Sequence, residues 1–185
     1  RYVSGVQASG RLHLGNYFGA IRPQIERQNL GQCFFFVADY HSLTSVYDQS
    51  ELRWNVQKVV VDYLALGLDP EKAVFFRQSD VPEVAELGWI LGCATPMGLL
   101  ERCHAYKDKT AKGMPARLGL FSYPALMAAD ILLYKANRVP VGKDQIHHLE
   151  VTRDIAQAVN RRDGNVLVLP ESEVDTTTAS LPGLA

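Results

Sequence analysis

The 185-residue sequence contains no apolar run near the ~20 residues that a membrane-spanning helix needs. Its opening stretch, RYVSGVQASG, lacks the apolar centre of a signal peptide. Charge of one sign is also missing. Nineteen Lys and Arg stand against 20 Asp and Glu, for a formal net charge of −1. That excludes a strongly basic footprint, so any RNA contact must be local or lie outside this sequence. Cysteine is scarce and scattered. Cys33, Cys93 and Cys103 form no C-x-x-C pair, which argues against a disulfide framework or a zinc site and fits a reducing, cytoplasmic setting. Internal repeats and low-complexity tracts are absent. What remains, 47% hydrophobic and 21% charged residues, suits one globular α/β domain with a sizeable core.

Strand-like and helix-like stretches alternate along the chain. Residues 2–7 predict a strand, followed by a Gly/Ser turn and a helix over 14–28. Residues 33–38, with FFFVA at their centre, have the length and apolarity of a buried strand. Ser50 can cap a helix running to about Leu68, with Val56, Val59, Val60, Tyr63 and Leu64 at helical spacing. Residues 73–76 predict another strand. Asp80 can cap a helix over 81–93 with Pro82 in its first turn. Residues 98–118, rich in Lys, Arg and Gly, predict an inserted, mobile segment. A helix over 124–135, a short strand over 139–142, a helix over 144–161 and a last strand over 166–169 complete the pattern. Such alternation predicts βαβ units and a parallel sheet. Ligands bind such sheets beyond the carboxyl ends of the strands, so the loops there are where chemistry is sought.

Three segments at those positions carry unusual residues. The first is the loop from Gln7, Ala8 and Ser9 to His13, Gly15 and Asn16. Gly15 lets a flat group approach the helix backbone, and the helix N-terminus offers free amides to phosphate oxygens. An ordinary turn and helix start is the plain alternative. The second is Val139 to His148, where Gly142 permits close approach, Asp144 can cap a helix or bind ribose hydroxyls, and Gln145 can donate and accept. Adjacent His147 and His148 point about 100° apart on a helix, so they do not readily share one metal ion. The third is Tyr123 to Tyr134, an apolar helix with Asp130 in its middle. A buried carboxylate is costly unless paired. It suits a ligand with one N–H in an otherwise apolar shell, such as an indole, or equally a structural bond to a backbone amide or an arginine. Asp39 to Thr44, with His41, follows the second strand at the same sheet edge. Lys107 to Gly113, with Lys109, can grip polyphosphate or simply be a solvated charged face.

Taken together, SGVQASGRLHLGNYFGAI, VADYHSLT, LMAADILLY and VPVGKDQIHHLEVTRDIA, in that order, resemble the tryptophanyl-tRNA synthetases, a branch of the class I aminoacyl-tRNA synthetases. The resemblance runs from Ser4 to about Leu184. It implies a Rossmann-type parallel sheet with helices on both faces and a helical insertion. The stretch His13 to Asn16 matches the family's first ATP signature, so His13 and Asn16 are expected to be catalytic. Gln7, Ala8, Ser9, Gly15, Asn16, Gly142, Lys143, Asp144 and Leu181 are implied ATP contacts, and Lys109 a phosphate-reaching lysine. Lys143 stands where many relatives carry an acidic residue. Asp130 matches the aspartate that accepts the indole N–H. Tyr123 and Gln145 match residues near the α-amino group, and Val3, His41, Met127, Val139 and Val141 line the same pocket. No metal ligand set is implied, and Mg²⁺ is expected to accompany ATP.

The resemblance further implies tryptophan, ATP and tRNA(Trp) as partners, a homodimer, a cytoplasmic location and no membrane. Residues 81–105, with Trp89, Met97, Leu99 and Leu100, can form a dimer face or merely core. Tyrosyl-tRNA synthetase shares fold and chemistry, and the MAADIL helix favours tryptophan over it. A non-catalytic nucleotide-binding module derived from the same fold is the alternative of another class. Arg1 rather than Met opens the sequence, and a short preceding stretch is expected. The family's second ATP signature, a Lys-Met-Ser-Lys-Ser loop, is expected just beyond Ala185, with a C-terminal helical domain after it. The 185 residues are therefore expected to keep substrate binding better than turnover. Pyrophosphate release measured for this chain beside a full-length enzyme should be much slower; equal rates would refute the expectation.

Overall fold

The computed structural model describes residues 1–103, 117–142 and 145–174. Five strands form one parallel sheet in the order β3-β2-β1-β4-β5. They are β1 (Tyr2–Val6), β2 (Cys33–Val37), β3 (Ala73–Arg77), β4 (Arg138–Pro140) and β5 (Glu171–Glu173). Because both faces of the sheet are covered, the interior strand β2 is apolar throughout rather than alternating. Its side chains still point to opposite faces. Phe35 packs with Ile21, Val59 and Tyr63 on one face, and Phe36 with Val3, Ile131, Val139 and Leu149 on the other. Helices therefore cover both faces, as the sequence predicts. No helix among the described residues is long and apolar enough to cross a membrane.

The helix after β1, called α1, joins an α segment Leu14–Asn16, a π-helical turn Tyr17–Ile21 and an α segment Arg22–Arg27. Pro23 lies inside it and has no N–H to donate one turn back. The wider turn relieves this register problem, with the Arg22 amide donating to the Tyr17 carbonyl. A short helix, α2 (Asp39–Ser42), follows β2, where a loop was expected.

Helix α3 (Gln49–Ala65) is capped by Asp48, whose carboxylate accepts from the Glu51 amide at 2.8 Å, and not by Ser50. It ends before Gly67, which adopts a φ of +105°. Helix α4 (Glu83–Ala94) starts after Pro82 without a side-chain cap. Asp80 instead sits in a 3-10 turn, Gln78–Asp80, and pairs with Arg77.

The expected insertion over 98–118 begins as a helix, α5 (Met97–Glu101), and its last residue already belongs to α6 (Leu118–Leu132); residues 104–116 lie outside the described residues. Pro124 is interior to α6 rather than its start. Helix α7 spans Ile146–Asp163. The strand expected over 166–169 is a loop. Asn160 holds it, accepting from the Val166 and Leu167 amides and donating to the Leu167 carbonyl. These groups are thereby satisfied without a ladder, and the edge strand forms at Glu171–Glu173 instead.

A third core, of Val84, Leu91, Leu99, Leu132, Val151 and Ile155, joins α4 to α7. Leu99 and Leu100 are buried, whereas Trp89 is 76% exposed and Met97 63%; only the latter pair stays available as an outer face.

One feature shapes the site. β1 and β2 pair over five residues, but β1 and β4 pair only at Tyr2↔Arg138. Beyond that point the two strands part, and the Ser4 hydroxyl donates to the Pro140 carbonyl at 3.3 Å across the gap. Ser4 is held from behind by Gln24, whose amide donates to it at 2.9 Å and accepts from buried Tyr63 at 2.8 Å. Gly5 is required here. A Cβ on it would stand 2.4 Å from the Phe36 ring. Gly5→Ala is expected to cost about 1–3 kcal/mol through overpacking, whereas Gly92→Ala, in a helix with open space around it, should gain up to about 1 kcal/mol. Urea unfolding of both variants checks the opposed signs; a stability gain in the first would contradict the crowding.

Candidate functional site

The gap between β1 and β4 opens into a cavity of about 340 Å³ at the carboxyl ends of the strands. That is the switch point, where the chain crosses from one half of the sheet to the other, and open α/β sheets bind ligands there. β1 supplies Val3 and Gly5, β4 and the residues after it supply Val139, Val141 and Gly142, and α6 supplies Tyr123, Met127, Asp130 and Ile131. Gly19 and Ala20 of the π-helical turn complete one side. Val3, His41, Tyr123, Met127, Asp130, Val139, Val141 and Gln145, expected to form one pocket, all line this cavity.

Asp130 is 2% exposed and bonded on both oxygens. Its Oδ2 lies 2.7 Å from His41 Nε2, and its Oδ1 accepts from Gln78 Nε2 at 2.7 Å. Gln78 cannot turn its amide round, because its oxygen accepts the Tyr40 amide at 3.1 Å. Asp39 locks the same corner by accepting from the amides of Tyr40 and Ser79. Burial raises the Asp130 carboxyl above the usual carboxylate range, against the opposing pull of His41 and Gln78. One turn on, burial pushes Tyr134 up to about 12, with the Asp130 and Glu83 charges adding to the effect. When ionised, the carboxylate only accepts, so His41 Nε2 then carries its proton. With about four lone-pair sites and two taken, it can still accept one N–H from a ligand. Ser4, Gln7 and Gln145 are the other polar side chains in the lining, which is otherwise apolar or aromatic, with the His41 and Tyr123 rings edge-on at 6.1 Å.

The residues expected to meet ATP are only partly gathered. Gln7 and Gly142 line the cavity mouth. Ala8 is buried, its amide donating to the Ser42 hydroxyl at 2.9 Å, and Ser9 is exposed. His13 and Asn16 do not face the cavity. They cap the start of α1 reciprocally: the Asn16 amide donates to His13 Nδ1 at 3.3 Å, and the His13 amide donates to Asn16 Oδ1 at 3.0 Å. The His13 ring lies against Gly15, within 2.9 Å of where a Cβ would stand. Lys109, Lys143, Asp144 and Leu181 lie outside the described residues.

Comparison with known proteins agrees with this geometry. The profile of the "tRNA synthetases class I (W and Y)" matches residues 1–184. The chain belongs to this family of class I tRNA synthetases. It is 55% identical over 183 residues to the tryptophan–tRNA ligase of Campylobacter jejuni (strain RM1221), covering 99% of this chain and 57% of that protein. It is 54% identical to the tryptophan–tRNA ligase of Rhodopirellula baltica, with the same coverage. The crystal structure of Campylobacter jejuni tryptophanyl-tRNA synthetase with ADP and tryptophan superposes with a TM-score of 0.91, over 95% of this chain and 55% of that one, at 55% identity. The chain thus spans little more than half the length of the curated relatives it matches. The tyrosyl-tRNA synthetase of Aeropyrum pernix, 17% identical with a TM-score of 0.73 over 92% of this chain and 50% of that one, shares the fold alone.

In this member of the class I tRNA synthetases, sequence reasoning missed Gln78, Ser42 and Ser4. Each acts through the fold rather than through a motif. Gln78 reaches Asp130 from 52 residues away, and nothing in a strand-end glutamine distinguishes it from a surface one.

The raised Asp130 carboxyl has a consequence for stability. The folded protein holds this proton more tightly than the unfolded chain, so stability falls as pH climbs from the ordinary carboxylate range through the raised value. Asp130→Asn removes the charge, while its amide can still accept from Gln78 and donate to His41. It is expected to melt higher than the parent at neutral pH, with the gap closing toward about pH 4. Thermal melts across that range read the sign; a variant less stable at neutral pH would mean that the buried charge is fully compensated.

Proposed function

We propose that this chain is the tryptophan- and ATP-binding portion of a tryptophan–tRNA ligase. The observation that carries the proposal is Asp130, a buried carboxylate held by two side chains at the wall of an apolar cavity. An indole has one donor and no acceptor, and its N–H meets the free acceptor site while the rings meet Val3, Met127, Val139 and Val141. Tyr123 and Gln145 stand on the same wall and are assigned to the α-amino group.

The nucleotide is assigned to the edge between β1 and α1. Gln7, Ala8, Ser9, Gly15 and Asn16 lie there, with Gly142 opposite, and Lys143, Asp144 and Leu181 belong to the same set. His13, Asn16 and Lys109 are assigned to the reacting phosphates. The His13–Asn16 cap must open for both side chains to reach them. The tryptophan carboxylate attacks the α-phosphorus of ATP in line, forming tryptophanyl-adenylate and releasing pyrophosphate. A carboxylate is already a nucleophile at neutral pH, so this step needs orientation and charge stabilisation rather than a general base. Mg²⁺ ordinarily keeps its waters and rides on substrate phosphates. The ion is assigned to the nucleotide, where it neutralises phosphate charge.

The acyl group then passes to tRNA(Trp). We assign the whole ligase to the cytoplasm and to a homodimer, with exposed Trp89 and Met97 on the face offered to the second copy.

Phenylalanine brings no donor and leaves the Asp130 carboxylate short of a partner, at a cost of about 1–3 kcal/mol. Calorimetric titration with tryptophan, tyrosine and phenylalanine, with and without ATP and Mg²⁺, should give clear tryptophan preference. Asp130→Ala should reduce that preference by about tenfold or more while leaving ATP affinity nearly unchanged. A tyrosine preference, or an equal loss of both affinities, would sink the proposal.

A further inference from the structure

His148 is 8% exposed on α7 and is not among the residues lining the cavity, yet its Nε2 lies 2.9 Å from the hydroxyl of Tyr123, a lining residue. The two rings meet edge-on at 5.4 Å from behind the cavity wall. A tyrosine hydroxyl has one proton to give and lone pairs to receive. An α-ammonium group has three donors and no acceptor. A hydroxyl facing it must therefore receive, and its own proton must be placed elsewhere. The imidazole nitrogen of His148 lies within hydrogen-bond reach of that proton.

We propose that His148 is a positioning residue for amino-acid recognition: by accepting the Tyr123 proton it turns the Tyr123 oxygen lone pairs toward the ammonium of the ligand. The proposal rests on the assignment of the cavity to tryptophan. Burial raises the Tyr123 hydroxyl well above its ordinary range, so the group stays a neutral phenol with a proton to direct. The arrangement also gives His148 a role that metal binding with His147 would not. An amino acid is favoured over the same acid without its amino group, because only the former uses the oriented lone pair.

Titration calorimetry with tryptophan and with indole-3-propionate, which lacks the α-amino group, tests this. His148→Leu should weaken tryptophan binding about tenfold and leave indole-3-propionate nearly unchanged. His148→Gln should recover most of the loss, because a glutamine oxygen reaches where Nε2 stands. In a Tyr123→Phe background His148→Leu should have no further effect on tryptophan. Should H148L fail to fold by circular dichroism, His148→Asn, whose shorter amide falls short of the hydroxyl, takes its place in the same comparison. Equal weakening of both ligands, or no recovery with glutamine, would make His148 a packing residue only and overturn the proposal, while leaving the parent protein's preference for tryptophan standing. Failure of both ligands to bind the parent protein would instead remove the tryptophan assignment and this proposal with it.

Discussion

The separation of β1 from β4 after a single paired residue is the constraint on which the rest depends. A parallel sheet that continued past Tyr2↔Arg138 would close the cavity with backbone. Pro140 brings no N–H to a ladder, and the Ser4 hydroxyl takes up its carbonyl in place of one. Holding two strands apart requires support from behind. The Tyr63–Gln24–Ser4 chain of buried hydrogen bonds supplies it, tying α3 and α1 to the edge of the gap. Gly5 leaves room for Phe36 at the same place.

Around this gap the polar groups are few, and each is placed through another. Asp130 is set by Gln78 and His41, and Gln78 by the Tyr40 amide. Tyr123 is met from behind by His148. In a low-dielectric wall such chains are strong when complete and costly when broken. Burial raises the Asp130 carboxyl against the opposing pull of its two hydrogen bonds. A site that keeps such a charge gives up stability for the ability to distinguish a ligand that donates from one that does not.

The start of α1 is built differently. His13 and Asn16 satisfy each other at the start of α1, and the His13 ring covers Gly15. The cavity between β1 and β4 is thus formed by the packed interior, whereas the start of α1 is held by a local cap.

Much of this protein was legible in the sequence. Alternating strands and helices determined a parallel α/β sheet, and four ordered motifs determined the family, because periodicity and motif spacing are local properties of a chain. All eight expected pocket residues, from Val3 to Gln145, meet at one cavity. Two of the misplaced features have one cause in common: a side chain other than the expected one satisfied the backbone groups. Asp48 rather than Ser50 caps α3, and Asn160 turns 166–169 from strand to loop. Only the tertiary structure decided that Gln78 holds Asp130, that Ser4 spans the strand gap and that His148 stands behind Tyr123. Those contacts join residues 25 to 136 positions apart, and no local pattern marks which distant partner folding will bring within 3 Å or so of a given side chain.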